Sequence, residues 1–122
     1  MPAIPPILLK KLYVKGSLRA EGDGFALDLQ NPIAPGVILG MKALKVDGAA
    51  VDLAQVTVVP PDGPSRPATA ISAGSPLEFP LGATFALRVA GFPLPPGSHR
   101  LEIRVVVRDV GPLDIPIADA LA

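Results

Sequence analysis

The chain contains no cysteine and no tryptophan, a single histidine, and as many basic as acidic residues, 11 of each. Without cysteine there are no disulfides, thiol nucleophiles or zinc–thiolate sites, and the redox compartment stays open. A net charge of zero, with the charges spread along the sequence, lacks the basic footprint of a nucleic-acid binder or a polybasic membrane-surface segment. No run approaches the roughly 18 apolar residues needed to cross a bilayer. Neither nucleic acid nor membrane is therefore expected as a partner. The start, Met1-Pro2-Ala3-Ile4-Pro5-Pro6-Ile7-Leu8-Leu9, places its apolar stretch before Lys10-Lys11. A secretory signal has the opposite order, so a cytoplasmic location is expected. Asn31 is the only asparagine, and there are two methionines and two glutamines against 16 prolines. Such a composition fits a thermophilic or a high-GC source, and the thermophilic reading is preferred.

What the sequence has in abundance is alternation. At 122 residues it fits one domain, 1–122, large enough to bury a core without metal or disulfide. Leu12, Val14 and Leu18 alternate with polar neighbours, Glu21-Gly22-Asp23-Gly24 reads as a hairpin turn, and Phe25, Leu27 and Leu29 alternate on the return strand. Val37 to Val46 is apolar on both faces, as in a strand covered on two sides. Asp47-Gly48 is a second hairpin signal, and Val51, Leu53, Val56 and Val58 follow with a register shift near Ala54-Gln55. Residues 60–82 are irregular, with a loop tip at Asp62-Gly63 and one short edge strand within 69–79. Phe85, Leu87 and Val89 form the next strand, and Leu101, Ile103, Val105 and Val107 the longest one. Val110 to Ile117 reads as a final strand broken by Gly111-Pro112 and Pro116, and 118–122 as at most a helical turn. About seven strands without helical periodicity predict an all-β, single-domain antiparallel β-sandwich of immunoglobulin-like architecture. Residues 1–10 form an N-terminal apolar arm, expected to pack on the sandwich or on a partner.

Candidates for chemistry are few. His99 stands alone, whereas imidazole metal sites need several and a triad needs a nucleophile beside it. It is expected as a surface residue at the rim of a turn. Asp23, Asp47 and Asp62 each precede a glycine and belong to turns. Asp28, Asp52 and Glu102 fill polar strand slots, and the spacing of Asp109, Asp114 and Asp119 matches no calcium loop. No glycine is followed by the Lys-Ser/Thr of a phosphate loop, and Gly74-Ser75-Pro76 lacks the second glycine of a nucleophile elbow. Arg100, Arg104 and Arg108 share the outer face of one strand, interrupted by Glu102 and unaccompanied by aromatics, as in a solvated or cross-strand-paired face. No catalytic, cofactor-binding or metal-binding residue is assigned, and no cofactor is expected.

The remaining signal is apolar excess. The hydrophobic fraction is 49%, with only 18% charged residues, and the mean hydropathy is +0.46. Ile4, Ile7, Leu8 and Leu9, the run Val37–Met41, Val106, and Leu113, Ile115 and Ile117 exceed what one sandwich interior absorbs from one face of each strand. The surplus points to an obligate interface, either a homo-oligomer or a larger enzyme subunit; the alternative is a tightly packed thermophilic monomer. The preferred function is a non-catalytic structural or assembly sandwich. The alternative is a small-molecule or carbohydrate-binding module, although Tyr13, Phe25, Phe79, Phe85 and Phe92 are the only aromatics and Phe25 and Phe85 belong to the core pattern. An enzyme in its own right would need carboxylates converging with Arg66 or His99 in a pocket.

Gly24-Phe25, Val46-Asp47-Gly48, Phe79-Pro80-Leu81-Gly82-Ala83-Thr84 and Leu94-Pro95-Pro96-Gly97-Ser98-His99 fall in an order that resembles the small β subunits of bacterial C-glycoside deglycosidases, over residues 24–108. The resemblance implies a supporting sandwich whose metal and catalytic groups belong to a larger α subunit. The chain departs from that pattern by lacking basic and aromatic residues after residue 31. It is also similar to short archaeal and bacterial proteins labelled hydroxymethylglutaryl-CoA reductase. That label implies an enzyme of several hundred residues with a nicotinamide fold, which nothing in 122 residues supplies.

Overall fold

A computed structural model describes residues 5–61 and 63–121. Ile4 of the apolar arm, the Asp62 turn tip and Ala122 lie outside the described residues. The strands are β1 (Arg19–Glu21), β2 (Gly24–Gln30), β3 (Gly36–Val46), β4 (Ala49–Ala50), β5 (Val56–Val59), β6 (Arg66–Pro67), β7 (Leu77–Phe79), β8 (Thr84–Val89), β9 (Gly97–Val107) and β10 (Gly111–Leu121). They form two antiparallel sheets, one in the order β1-β2-β8-β5-β6 and the other in the order β10-β9-β3-β4, with β7 also paired to β3. The architecture is the expected all-β sandwich.

The alternating residues meet between the sheets. Phe25, Leu27, Val56, Val58 and Leu87 from the first sheet and Leu44, Leu101 and Ile103 from the second are almost fully buried, in one continuous cluster. Asp47 and Gly48 adopt φ of +51° and +87°, the left-handed pair that a two-residue hairpin needs. The expected register shift at Ala54-Gln55 is a 3-10 turn, Leu53–Gln55, capped by Asp52, whose Oδ1 accepts from the Ala54 N–H at 3.0 Å.

Three local expectations are corrected. The first hairpin is shorter than its alternation suggests. Residues 6–9 form a helical turn and Lys10–Leu12 a 3-10 turn, and Gly16 at φ +85° turns the chain before β1 begins. Leu12, Tyr13 and Leu18 are buried in consequence, and Val14 is not. The C-terminal segment is not helical: β10 runs unbroken to Leu121 along β9. Pro112 and Pro116 are tolerated because β10 is an edge strand, and residues two or four apart turn their amide position to the same side, here away from β9. Finally, the double-sided apolar run Val37–Met41 is accommodated by irregular pairing. Register shifts between Ile38 and Gly40 and between Met41 and Ala43 rotate β3, and the Lys42 side chain lies over Gly40.

Of the apolar surplus, Leu9, Met41, Ile115 and Ile117 are buried, whereas Leu8, Val37–Leu39, Val106 and Leu113 are half-buried and Ile7 is exposed. Leu9 and Leu12 close the flank between β1–β2 and β10, while Ala68 and Ile71 pack into the opposite flank beside β3 and β5. Among the described residues only Ile7 and Leu81 are large hydrophobics in the open. The sandwich thus has a packed edge on each side, while the outward apolar residues Val37 and Val106 of the second sheet stay half-exposed.

Candidate functional site

The polar groups best suited to chemistry lie at three separate places, and each is engaged with the protein itself. His99, expected at the surface, is 8% exposed. Its Nδ1 lies 2.7 Å from Asp47 Oδ2 and its Nε2 2.7 Å from the Pro95 carbonyl, so both nitrogens face acceptors and both carry protons when the pair is complete. Asp47 also accepts from the Arg100 N–H at 2.9 Å, which ties the β3–β4 turn to the start of β9. The hydrogen bond to Asp47, helped by the one to Pro95, raises the imidazole above its ordinary value of 6.5. The same contact lowers the Asp47 carboxyl. Stability from the imidazolium is therefore complete below about pH 6.5 and is lost as pH rises through the raised value.

On the flank between β2 and β10, the Tyr13 hydroxyl donates to Asp119 Oδ2 at 2.6 Å and accepts from the Leu18 N–H at 3.0 Å. The same carboxylate oxygen accepts from the Gly16 N–H at 2.6 Å, and its other oxygen from the Ala120 N–H at 2.8 Å. Burial, then the bond to Asp119, raises the phenol, while the bond from Tyr13 and two backbone N–H groups lower the carboxyl. On the opposite flank, Arg66 donates to the carbonyls of Ala70, Ser75 and Pro76 and to the Ser75 hydroxyl, at 2.7–3.3 Å. It holds the loop that carries Ile71 and meets no carboxylate among the described residues. The structure does not bring Arg66 and His99 together.

The outer face of the second sheet carries the expected cross-strand charges. Arg104 forms a two-pronged pair with Asp114 at 2.7 and 2.9 Å, and Glu102 stands opposite Lys45. The Arg104–Asp114 side chains are both more than half exposed, so their attraction contributes little to stability. Arg19 meets Asp28 at 3.3 Å on the first sheet. Among the described residues no three His, Asp or Glu side chains group as metal ligands.

What remains unfilled is apolar. At one end of the sandwich a cavity of about 140 Å³ extends between the sheets. Leu29, Met41, Phe85 and Val105 are among the buried residues at its depth, and Ile33, Ala34, Pro35, Val107 and Leu113 stand where it opens, between the β2–β3 crossover and the β9–β10 turn. Among the described residues its one polar side chain is that of Asn31. The amide donates to the carbonyls of Ala34 (2.6 Å) and Phe79 (2.8 Å), and its oxygen accepts from the N–H groups of Ile33 (3.1 Å) and Ala34 (3.3 Å). The main chain of Asn31 bonds in turn to Ala83 and Gly82. One residue thus joins the crossover to β7 through its side chain and to the approach of β8 through its main chain. Neither the cavity nor this hub is evident from periodicity, although a lone asparagine before a proline at a crossover was the available signal.

A family model described as hydroxymethylglutaryl-CoA reductase, N-terminal domain, matches residues 8–122. The chain belongs to this family. The match begins at the helical turn before Lys10 and takes in both sheets, both flank-closing segments and the cavity. The family is described as an N-terminal domain. Among curated proteins none matches the chain. No helix among the described residues is long and apolar enough to cross a membrane.

Proposed function

We propose that the chain is a non-catalytic β-sandwich that acts as an accessory, assembly-forming part of a larger enzyme. The observation that carries this reading is the engagement of its reactive side chains in holding the sandwich: His99 fastens a hairpin, Tyr13 and Asp119 one flank, Arg66 the other. Each has its hydrogen-bonding capacity directed at its own chain, and the three sit on different edges. Membership of an N-terminal domain family supports the same reading. The order of turn segments that resembles the small subunits of C-glycoside deglycosidases supports a separate small subunit, and the scarcity of asparagine, glutamine and methionine supports a thermophilic source; a cytoplasmic location belongs to the same reading.

For the contact itself, the outer face of the second sheet offers an apolar corner. Val106 is paired with Gly40 and Pro112, beside the half-buried Val37, and is distinct from the charged Lys45–Glu102 and Arg104–Asp114 end. A carbohydrate platform is a poorer fit, because Tyr13, Phe25, Phe79 and Phe85 are buried and Phe92 packs edge-on against Phe25.

The test has two arms. The purified chain, incubated with hydroxymethylglutaryl-CoA and a reduced nicotinamide cofactor, is expected to show no cofactor oxidation above the protein-free rate. Turnover that scales with the chain would overturn the non-catalytic reading. Light scattering of the chain alone is expected to give a multiple of its 12.5 kDa mass if it assembles with itself, and a charge at the apolar corner, Val106→Glu, should reduce it to one copy. A single-copy mass for the unaltered chain excludes the homo-oligomer and leaves only the larger-subunit form.

A further inference from the structure

We infer that the cavity at the end of the sandwich is a binding site for an uncharged hydrocarbon group on the order of six carbon atoms, the size of the benzene taken up by an engineered apolar cavity of comparable volume. The inference goes beyond the accessory reading and stands without it. Three observations bear on the chemistry of the ligand.

The first is the wall. Leu29, Met41, Phe85 and Val105 at depth, with Val107 and Leu113 nearer the opening, present apolar side chains alone, and among the described residues no charged side chain lines the space. A charged or sugar-like group would lose its hydration there without compensation. The second is Asn31. Its amide and its oxygen are each already committed to two backbone partners, so the one polar side chain in the wall has no unmade bond with which to hold water or orient a polar ligand. An apolar void without polar partners stays dry, and a dry void is the kind that takes up a hydrocarbon. The third is access. Ala34 and Pro35 on the crossover are exposed, and Val107, Val110 and Leu113 around the β9–β10 turn are partly so. A ligand can therefore enter without unfolding the sheets, and a longer molecule can leave its polar remainder in solvent beyond Ala34. The group recognised is the apolar end, whether it is a free hydrocarbon or the tail of an amphiphile.

Titration of the full chain with benzene and with sodium octanoate, followed by methyl and amide NMR, separates these sources. Either probe is expected to give saturable shifts confined to the cavity, at Ile33, Ile38, Val107, Leu113 and Ile115, and to raise the melting temperature; glucose and sodium acetate are expected to do neither. Octanoate without benzene would identify a tail site, and both together a site for any hydrocarbon of this size. Two variants fill the space from different sides. Val107→Phe places a ring within it, and Ala34→Phe covers the opening from an exposed position that leaves the core untouched. Each is expected to weaken binding at least tenfold, and retained amide dispersion shows that the fold persists. Absence of saturable shifts with either probe up to its solubility limit overturns the inference. So does undiminished binding in Ala34→Phe, the variant that covers the opening.

Discussion

Gly24→Ala is expected to destabilise the sandwich by more than about 3 kcal/mol, beyond the common range for a single methyl addition. A Cβ on Gly24 falls 1.7 Å from the Val89 carbonyl oxygen and 2.8 Å from its carbon. Both atoms are backbone, and they are held by the ladder in which Phe25 pairs with Val89. No rotamer change relieves such an overlap, so β2 must move from β8 at the pair nearest the fully buried Phe25. Gly16→Ala is the matched comparison. It has nothing within 4 Å but a φ of +85°, so its cost is conformational alone, about 1 kcal/mol. Urea unfolding of the two variants, with unchanged slope, measures the difference. Equal midpoints would show that β2 and β8 do not approach so closely.

Asn31→Asp is the second large effect. The substitution preserves size and the acceptor side, so the bonds from Ile33 and Ala34 can persist. The former amide nitrogen becomes a carboxylate oxygen pointed at the carbonyls of Ala34 and Phe79, which stood at 2.6 and 2.8 Å. Two favourable bonds become two repulsions at a residue only 4% exposed, a loss of about 3 kcal/mol or more at neutral pH. Acid relieves the penalty. Burial and the facing carbonyls raise the new carboxyl in the folded state, so the penalty is complete above that raised value and shrinks as pH falls through it, when the protonated oxygen can donate again. Melting temperatures at neutral pH and at about pH 4 check this. A variant as stable as the native chain at neutral pH, or one no better in acid, would contradict the hub.

The sequence carried most of the architecture because period-two burial is local. Phe25-Leu27-Leu29, Phe85-Leu87-Val89 and Leu101-Ile103-Val105 each announce a strand and its inner face, and Asp47-Gly48 announces its turn. What it did not carry depends on partners distant in the chain. Ala118–Leu121 becomes strand because β9 is long enough to pair with it, which its composition does not convey. Gly24 reads as turn furniture, yet its smallness is required by Val89, 65 positions away in sequence. The apolar excess pointed to a partner surface; the structure buries Leu9, Ile115 and Ile117 of it and leaves Val37, Val106 and Leu113 half-exposed, while Leu12, Ala68 and Ile71 close the flanks.

The site followed the same division. That His99 and the carboxylates are individually tied to turns and strands was legible from their neighbours. That His99 is buried against Asp47, 52 positions away, was not. The cavity is the difference between what the two sheets enclose and what their side chains fill, and no single segment encodes that difference. Asn31, the one residue that could have flagged it, is unusual only in being the sole asparagine.

The central claim is that the chemistry-bearing side chains hold the fold, and the histidine puts it to the most direct test. Unfolding free energy should be measured against pH from about 5 to 9 for the native chain and for His99→Gln. The native chain is expected to be most stable on the acid side of this range and to lose stability as pH rises beyond the ordinary imidazole value of 6.5, while His99→Gln is less stable at the acid end and lacks that slope. Superimposable profiles would mean that the imidazole does not hold the β3–β4 turn, and the structural account of this chain's reactive groups would fail at its best-defined contact.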